Sequence, residues 1–80
     1  MKLLVIDGEI ISREGIIRNI NNRDLGITEI RQADDGMHAL LLASTYQPDI
    51  VLSDVRIPSM DGIEMAYKLR EEIPEVKIIL

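Results

Sequence analysis

Two aspartates follow the two most apolar stretches of this 80-residue chain. Leu3-Leu4-Val5-Ile6 stops at Asp7, and Ile50-Val51-Leu52 is followed, after Ser53, by Asp54. Unbroken apolar runs of this length read as strands buried on both faces, so each Asp stands where a strand leaves a sheet. Two carboxylates brought into one crevice repel each other unless a cation or a proton lies between them. The chain has no Cys, and His38 is its one His, which excludes thiolate and multi-histidine metal sites. A cation held here is a hard one bound through oxygen. Mg²⁺ fits best, since it accepts one or two carboxylates, keeps several waters and favours phosphate as a further partner. Either Asp alone has an ordinary explanation as a turn former. The pair, on the two most apolar runs, points to a shared acidic site.

The elements that must position this pair alternate along the chain. After the first strand, Ile10 to Ile20 reads as a helix whose face is Ile16, Ile17 and Ile20, extended back by Ile10. Asn21 to Gly26 is rich in turn formers, and Ile27 to Ala33 mixes polar with apolar residues as an edge strand does. Asp34-Asp35-Gly36 supplies a turn and a helix cap. Met37, Leu40, Leu41 and Ala43 then form an apolar stripe closed off by Pro48. Beyond Asp54 and the loop Arg56 to Met60, Asp61-Gly62-Ile63-Glu64 has the form of a capping box. Ile63, Ala66, Leu69 and Ile73 follow at helical spacing until Pro74, and Val76 to Leu80 is a further strand run. The order βαβαβαβ, with crossovers of about 20 residues, predicts a parallel sheet with right-handed connections. Such sheets bind ligands outside the carboxyl ends of their strands, where the strand order reverses, which is where Asp7 and Asp54 fall.

Composition narrows the function further. Nine Lys and Arg against fourteen Asp and Glu give a net charge of -5, the wrong sign for gripping a nucleic-acid backbone. No apolar stretch approaches the roughly 18 residues needed to span a bilayer, and the reading is of a cytoplasmic protein with no membrane partner. The acidic pair Glu71-Glu72 reads as a solvated helix face, Met37, Met60 and Met65 as packing residues, and His38 as a solvated side chain near a helix cap. One domain is all that this length allows.

Leu3 to Asp7, Asp34-Asp35-Gly36, and the block from Asp49 through Asp54, Pro58, Asp61 and Gly62 together resemble the receiver domain of two-component response regulators. The resemblance runs the whole chain in register, and Ile10 to Ile20, with Arg13-Glu14-Gly15, looks most like receivers fused to AraC-type transcriptional outputs. It implies a flavodoxin-like, doubly wound α/β fold with strand order 2-1-3-4 for the four strands present. It implies that Asp54 accepts a phosphoryl group from a histidine kinase or phosphotransfer protein. Mg²⁺ would be held by Asp7, by Asp54 and by the main-chain carbonyl of Arg56. The molecule would then be a signalling module, not an enzyme in its own right, with Arg13 and Arg18 lying on the helix that receivers use to dock a kinase.

Two departures from the family pattern carry their own expectations. Receivers place two carboxylates side by side after the first strand, whereas this chain has Asp7-Gly8-Glu9. Gly8 thus removes one ligand, Glu9 is the candidate to replace it, and Mg²⁺ binding is expected to be weak. The receiver pattern also continues beyond the fourth strand with a Ser or Thr, a fifth strand bearing a Lys, and two further helices. Residues 1–80 are therefore read as the N-terminal part of one receiver domain, and a segment of this form is expected to pair as a homodimer through exposed apolar surface. Two alternatives remain. One is a receiver with impaired metal chemistry that acts as a non-phosphorylated interaction domain. The other is a phosphohydrolase of the haloacid dehalogenase type, in which Asp7 would be the nucleophile.

Overall fold

Four strands and three helices alternate in the computed structural model, which describes all of residues 1–80: β1 (Lys2–Ile6), α1 (Ile10–Asn21), β2 (Glu29–Ala33), α2 (Gly36–Tyr46), β3 (Ile50–Ser53), α3 (Gly62–Glu72) and β4 (Lys77–Ile79). The strands form one parallel sheet in the order β2-β1-β3-β4, a flavodoxin-like arrangement and the one the sequence predicts. The two apolar strands, β1 and β3, lie inside the sheet, and in β1 Leu3, Leu4, Val5 and Ile6 are all buried. β2, with Glu29, Arg31 and Gln32 exposed, takes an edge, where unpaired backbone groups remain in water.

The main core lies on one face of the sheet. Leu4 and Ile6 of β1 and Val51 of β3 meet Ala39 and Ala43 of α2 and Met65 and Leu69 of α3. Here the helix faces differ from the sequence reading. On α2 the buried residues are Gly36, Ala39 and Ala43, while Met37 and Leu41 face solvent. Small residues let the helix approach its neighbours closely, so the larger side chains beside them are turned outward. On α3, Met65 is fully buried and Ile63 is half exposed. Of the capping box, Asp61 forms its half by accepting from the Ile63 amide at 2.7 Å, and no return bond from Glu64 is made.

α1 covers the opposite face incompletely. Ile16, Ile17 and Ile20 are half-buried, no residue of α1 is fully buried, and Ile10 points outward instead of extending the stripe. An apolar recess of about 190 Å³ remains on this face, lined among others by Leu3, Ile20, Leu52 and Ile79. Toward the end of the sheet opposite the strands' carboxyl ends, the Lys2 ammonium and the Arg31 guanidinium each lie 5.2 Å from the Tyr46 ring centroid. Burial pushes the Tyr46 phenol above its ordinary pKa, with the nearby Glu29 acting in the same direction.

Candidate functional site

The carboxyl ends of β1 and β3 are neighbours. Their register pairs Ile6 with Ser53, and the Asp54 amide donates to the Ile6 carbonyl at 3.1 Å, so Asp7 and Asp54 leave the sheet side by side. On its other side Asp7 is tied to β2, its amide donating to the Ala33 carbonyl at 3.1 Å. The sheet itself thus converges the two aspartates singled out in the sequence.

Both carboxylates are oriented by the same local device. Asp7 Oδ1 accepts from the Glu9 amide at 2.9 Å, and Asp54 Oδ1 accepts from the Arg56 amide at 3.2 Å. In each case the side chain hydrogen-bonds the backbone two residues on, as Asp does in Asx turns, and the second oxygen makes no hydrogen bond within the chain. Their exposure differs. Asp7 is 8% exposed, whereas Asp54 is open to solvent. Glu9 and Gly8 are also exposed, and no three His, Cys, Asp or Glu side chains meet in metal-binding geometry. The two carboxylates that the β1–β3 register places at neighbouring strand ends are those of Asp7 and Asp54. Two hard oxygen donors with one free oxygen apiece, plus a carbonyl two residues beyond Asp54, suit Mg²⁺, which completes its octahedron with water.

The loop after Asp54 is built around close approaches. Gly62 donates from its amide to the Val55 carbonyl at 2.8 Å, and a Cβ at Gly62 would lie 2.7 Å from the Asp54 carbonyl oxygen. The same loop caps α2. The Pro58 carbonyl accepts from the Gly36 amide at 3.0 Å, and Ser59 Oγ accepts from the Met37 amide at 3.0 Å. Ser59 does so with φ 72°, in the left-handed region. A Cβ at Gly8 would lie 3.0 Å from Pro58 Cδ, so the loop packs close to where a side chain on residue 8 would begin.

Chemistry-bearing groups surround the pair. Asp34 lies at the end of β2, and its Oδ1 is 3.2 Å from His38 Nδ1. The hydrogen bond to His38 holds the Asp34 carboxyl below the usual carboxylate range, and the Arg13 charge adds to the effect. Arg13, which the receiver resemblance puts on the helix used for docking, is half-buried and donates to the Asp7 carbonyl and to Gln32 Oε1. Sequence reasoning missed this link. The available signal was spacing: Arg13 stands three, four and seven residues before Ile16, Ile17 and Ile20, on the inward stripe where an apolar residue is the rule.

Residues 3–80 match the family model of the response regulator receiver domain. The chain belongs to that family. Among curated relatives, the response regulator GacA of Pseudomonas aeruginosa is 36% identical over 80 residues, covering all of this chain and 37% of the relative. The positive alginate biosynthesis regulatory protein of the same species is 37% identical over 78 residues, covering 95% of this chain and 32% of that protein. The receiver thus spans about a third of the length of the curated relatives it matches. Among solved structures, a two-component transcriptional regulator AraC from Clostridium phytofermentans superposes with a TM-score of 0.91 at 38% identity, over 98% of this chain and 63% of that one. The chemotaxis response regulator CheY4 of Vibrio cholerae superposes with a TM-score of 0.80 at 28% identity, over 96% of this chain and 63% of that one.

Proposed function

We propose that this receiver is the phosphoacceptor module of a two-component response regulator and that Asp54 is its acceptor. The observation that carries the reading is the unequal exposure of two carboxylates at neighbouring strand ends, one buried and one open. A nucleophile must be reached by its donor, whereas a residue that only holds a cation can lie deeper. Asp54 meets the first requirement and Asp7 the second, which also favours Asp54 over Asp7 and so disfavours a phosphohydrolase with its nucleophile at Asp7.

Mg²⁺ bound by Asp7, Asp54 and the Arg56 carbonyl, with Glu9 as a further candidate, would supply the positive charge that an anionic nucleophile needs at an anionic phosphoryl group. The chain's own part is to hold Asp54 through the Arg56 amide so that its second oxygen faces the donor. That oxygen forms a bond to phosphorus while the phosphorus–nitrogen bond of the kinase phosphohistidine breaks, and the imidazole leaves with the electron pair. The product is an acyl phosphate on Asp54. The partner is a histidine kinase or phosphotransfer protein in the cytoplasm. The output is transcriptional, in keeping with the similarity to the two-component transcriptional regulator AraC of Clostridium phytofermentans, and residues 1–80 form the N-terminal part of one receiver domain.

A second reading, a receiver with weakened metal chemistry, is favoured by one observation: Gly8 supplies no carboxylate, and Pro58 lies against the position its Cβ would take. Gly8→Asp should tighten Mg²⁺ binding while displacing the Pro58 ring by a few tenths of an ångström. Labelling of the full response regulator with a small phosphodonor and Mg²⁺, followed by borohydride reduction and peptide mapping, tests the acceptor. Modification at Asp54, lost in Asp54→Asn, is the expected result. Modification at Asp7, or undiminished labelling in Asp54→Asn, would move the nucleophile.

A further inference from the structure

Asp7 is followed by a glycine, the residue with the greatest backbone freedom, yet its carboxylate has to keep a fixed direction. Three bonds restrain it. Its amide is held by the Ala33 carbonyl, its Oδ1 by the Glu9 amide, and its carbonyl by Arg13 Nη1. The first two leave the plane of the Asp7–Gly8 peptide free to rotate, and the third fixes it. Arg13 is itself anchored twice: its Nε donates to Gln32 Oε1 at 3.1 Å, and its amide to the Glu9 carbonyl at 3.1 Å. A planar guanidinium can hold two acceptors in a fixed relation, which a single ammonium cannot.

We infer that Arg13 is a positioning residue for the acidic site: it clamps the Asp7–Gly8 peptide between α1 and β2 and so aims the Asp7 carboxylate toward Asp54. The inference deepens the proposed function, since the aim of Asp7 matters only if Asp7 holds a cation. Arg13 also occupies an inward position on α1 where an apolar side chain would have covered more of the sheet, so its presence there sacrifices apolar burial in favour of these hydrogen bonds. In addition it places a cation beside Asp7 and Asp34, offsetting some of the repulsion among the carboxylates at this edge.

The test uses amide hydrogen exchange on the metal-free chain together with Mg²⁺ titration, for the wild type, Arg13→Ala, Arg13→Lys and Gln32→Ala. In Arg13→Ala the Asp7 and Glu9 amides should exchange about tenfold faster, with Val5 and Val51 in the sheet centre unchanged. Arg13→Lys, reaching one of the two acceptors, should fall between. Gln32→Ala, which leaves α1 intact, should speed the same two amides by a smaller factor. Mg²⁺ affinity should fall in the same order. Unchanged Asp7 and Glu9 exchange in Arg13→Ala, or a uniform acceleration across the sheet, would overturn the inference, the second because it marks a general loss of stability. If the wild type bound no Mg²⁺ while exchange at Asp7 and Glu9 still followed the expected order, the clamp would stand and the metal reading would fail.

Discussion

At the scale of single residues, direction at this edge is set by backbone amides and short side-chain bonds. Asp7 and Asp54 each give up one oxygen to an amide two residues on and keep the other. Asp34 is fixed differently, by His38, and this pair yields a pH expectation with a defined sign. A carboxyl whose folded pKa is lowered contributes stability above its unfolded pKa, about 3.9, and loses it as the pH falls through the folded value. Asp34 is such a group, and because it is open to solvent its contribution is small. Replacing His38 by Ala should therefore bring the Asp34 pKa back up toward its ordinary value, read from the side-chain carboxyl resonance. An unmoved titration would mean that His38 does not hold Asp34 in solution.

At the scale of elements, two glycines make opposite demands. Gly15 lies within α1, where a Cβ would meet nothing within 4 Å, so Gly15→Ala should gain the helix propensity difference of about 1 kcal/mol. Gly62 opens α3 against the Asp54 and Val55 carbonyl oxygens, at 2.7 and 2.8 Å from a Cβ. Gly62→Ala should cost about 1–3 kcal/mol, as overpacking does, and push on the Asp54 loop. Chemical denaturation of the two variants checks both signs, and a stabilised Gly62→Ala would contradict the close approach. The elements and their parallel order were legible in the sequence because unbroken runs such as Leu3 to Ile6 mark strands buried on both sides. The inward faces of the helices were less so. Met37 and Leu41 are larger and more apolar than Ala39, yet Ala39 is the buried one, because how closely α2 approaches is decided by its neighbours and not by α2's own pattern. The two aspartates were legible for the same reason as the strands. Arg13 was not, since its partners are a carbonyl and a side chain on other elements.

At the scale of the whole molecule, the helices cover the two sheet faces unequally. β4 is an edge strand in which Ile79 is half exposed, as is Leu80 just after it, and Ile79 lines the apolar recess on the α1 face. Surfaces of this kind recruit a second chain. The 80-residue chain should therefore self-associate, as a two-fold pair, and light scattering at tens of micromolar should give the mass of at least two chains; a single-chain mass would contradict it. The acidic edge lies at the carboxyl ends of the strands. There the β1–β3 register brings Asp7 and Asp54 to neighbouring strand ends, where together they would form one cation site. Titration of the isotope-labelled chain with Mg²⁺, followed through its amide resonances, tests this most directly. Saturable shifts confined to residues 7–9 and 54–57, abolished by either Asp7→Asn or Asp54→Asn, are the expected result. Shifts centred elsewhere, such as at Glu71 and Glu72, or a response that survives both substitutions, would contradict it.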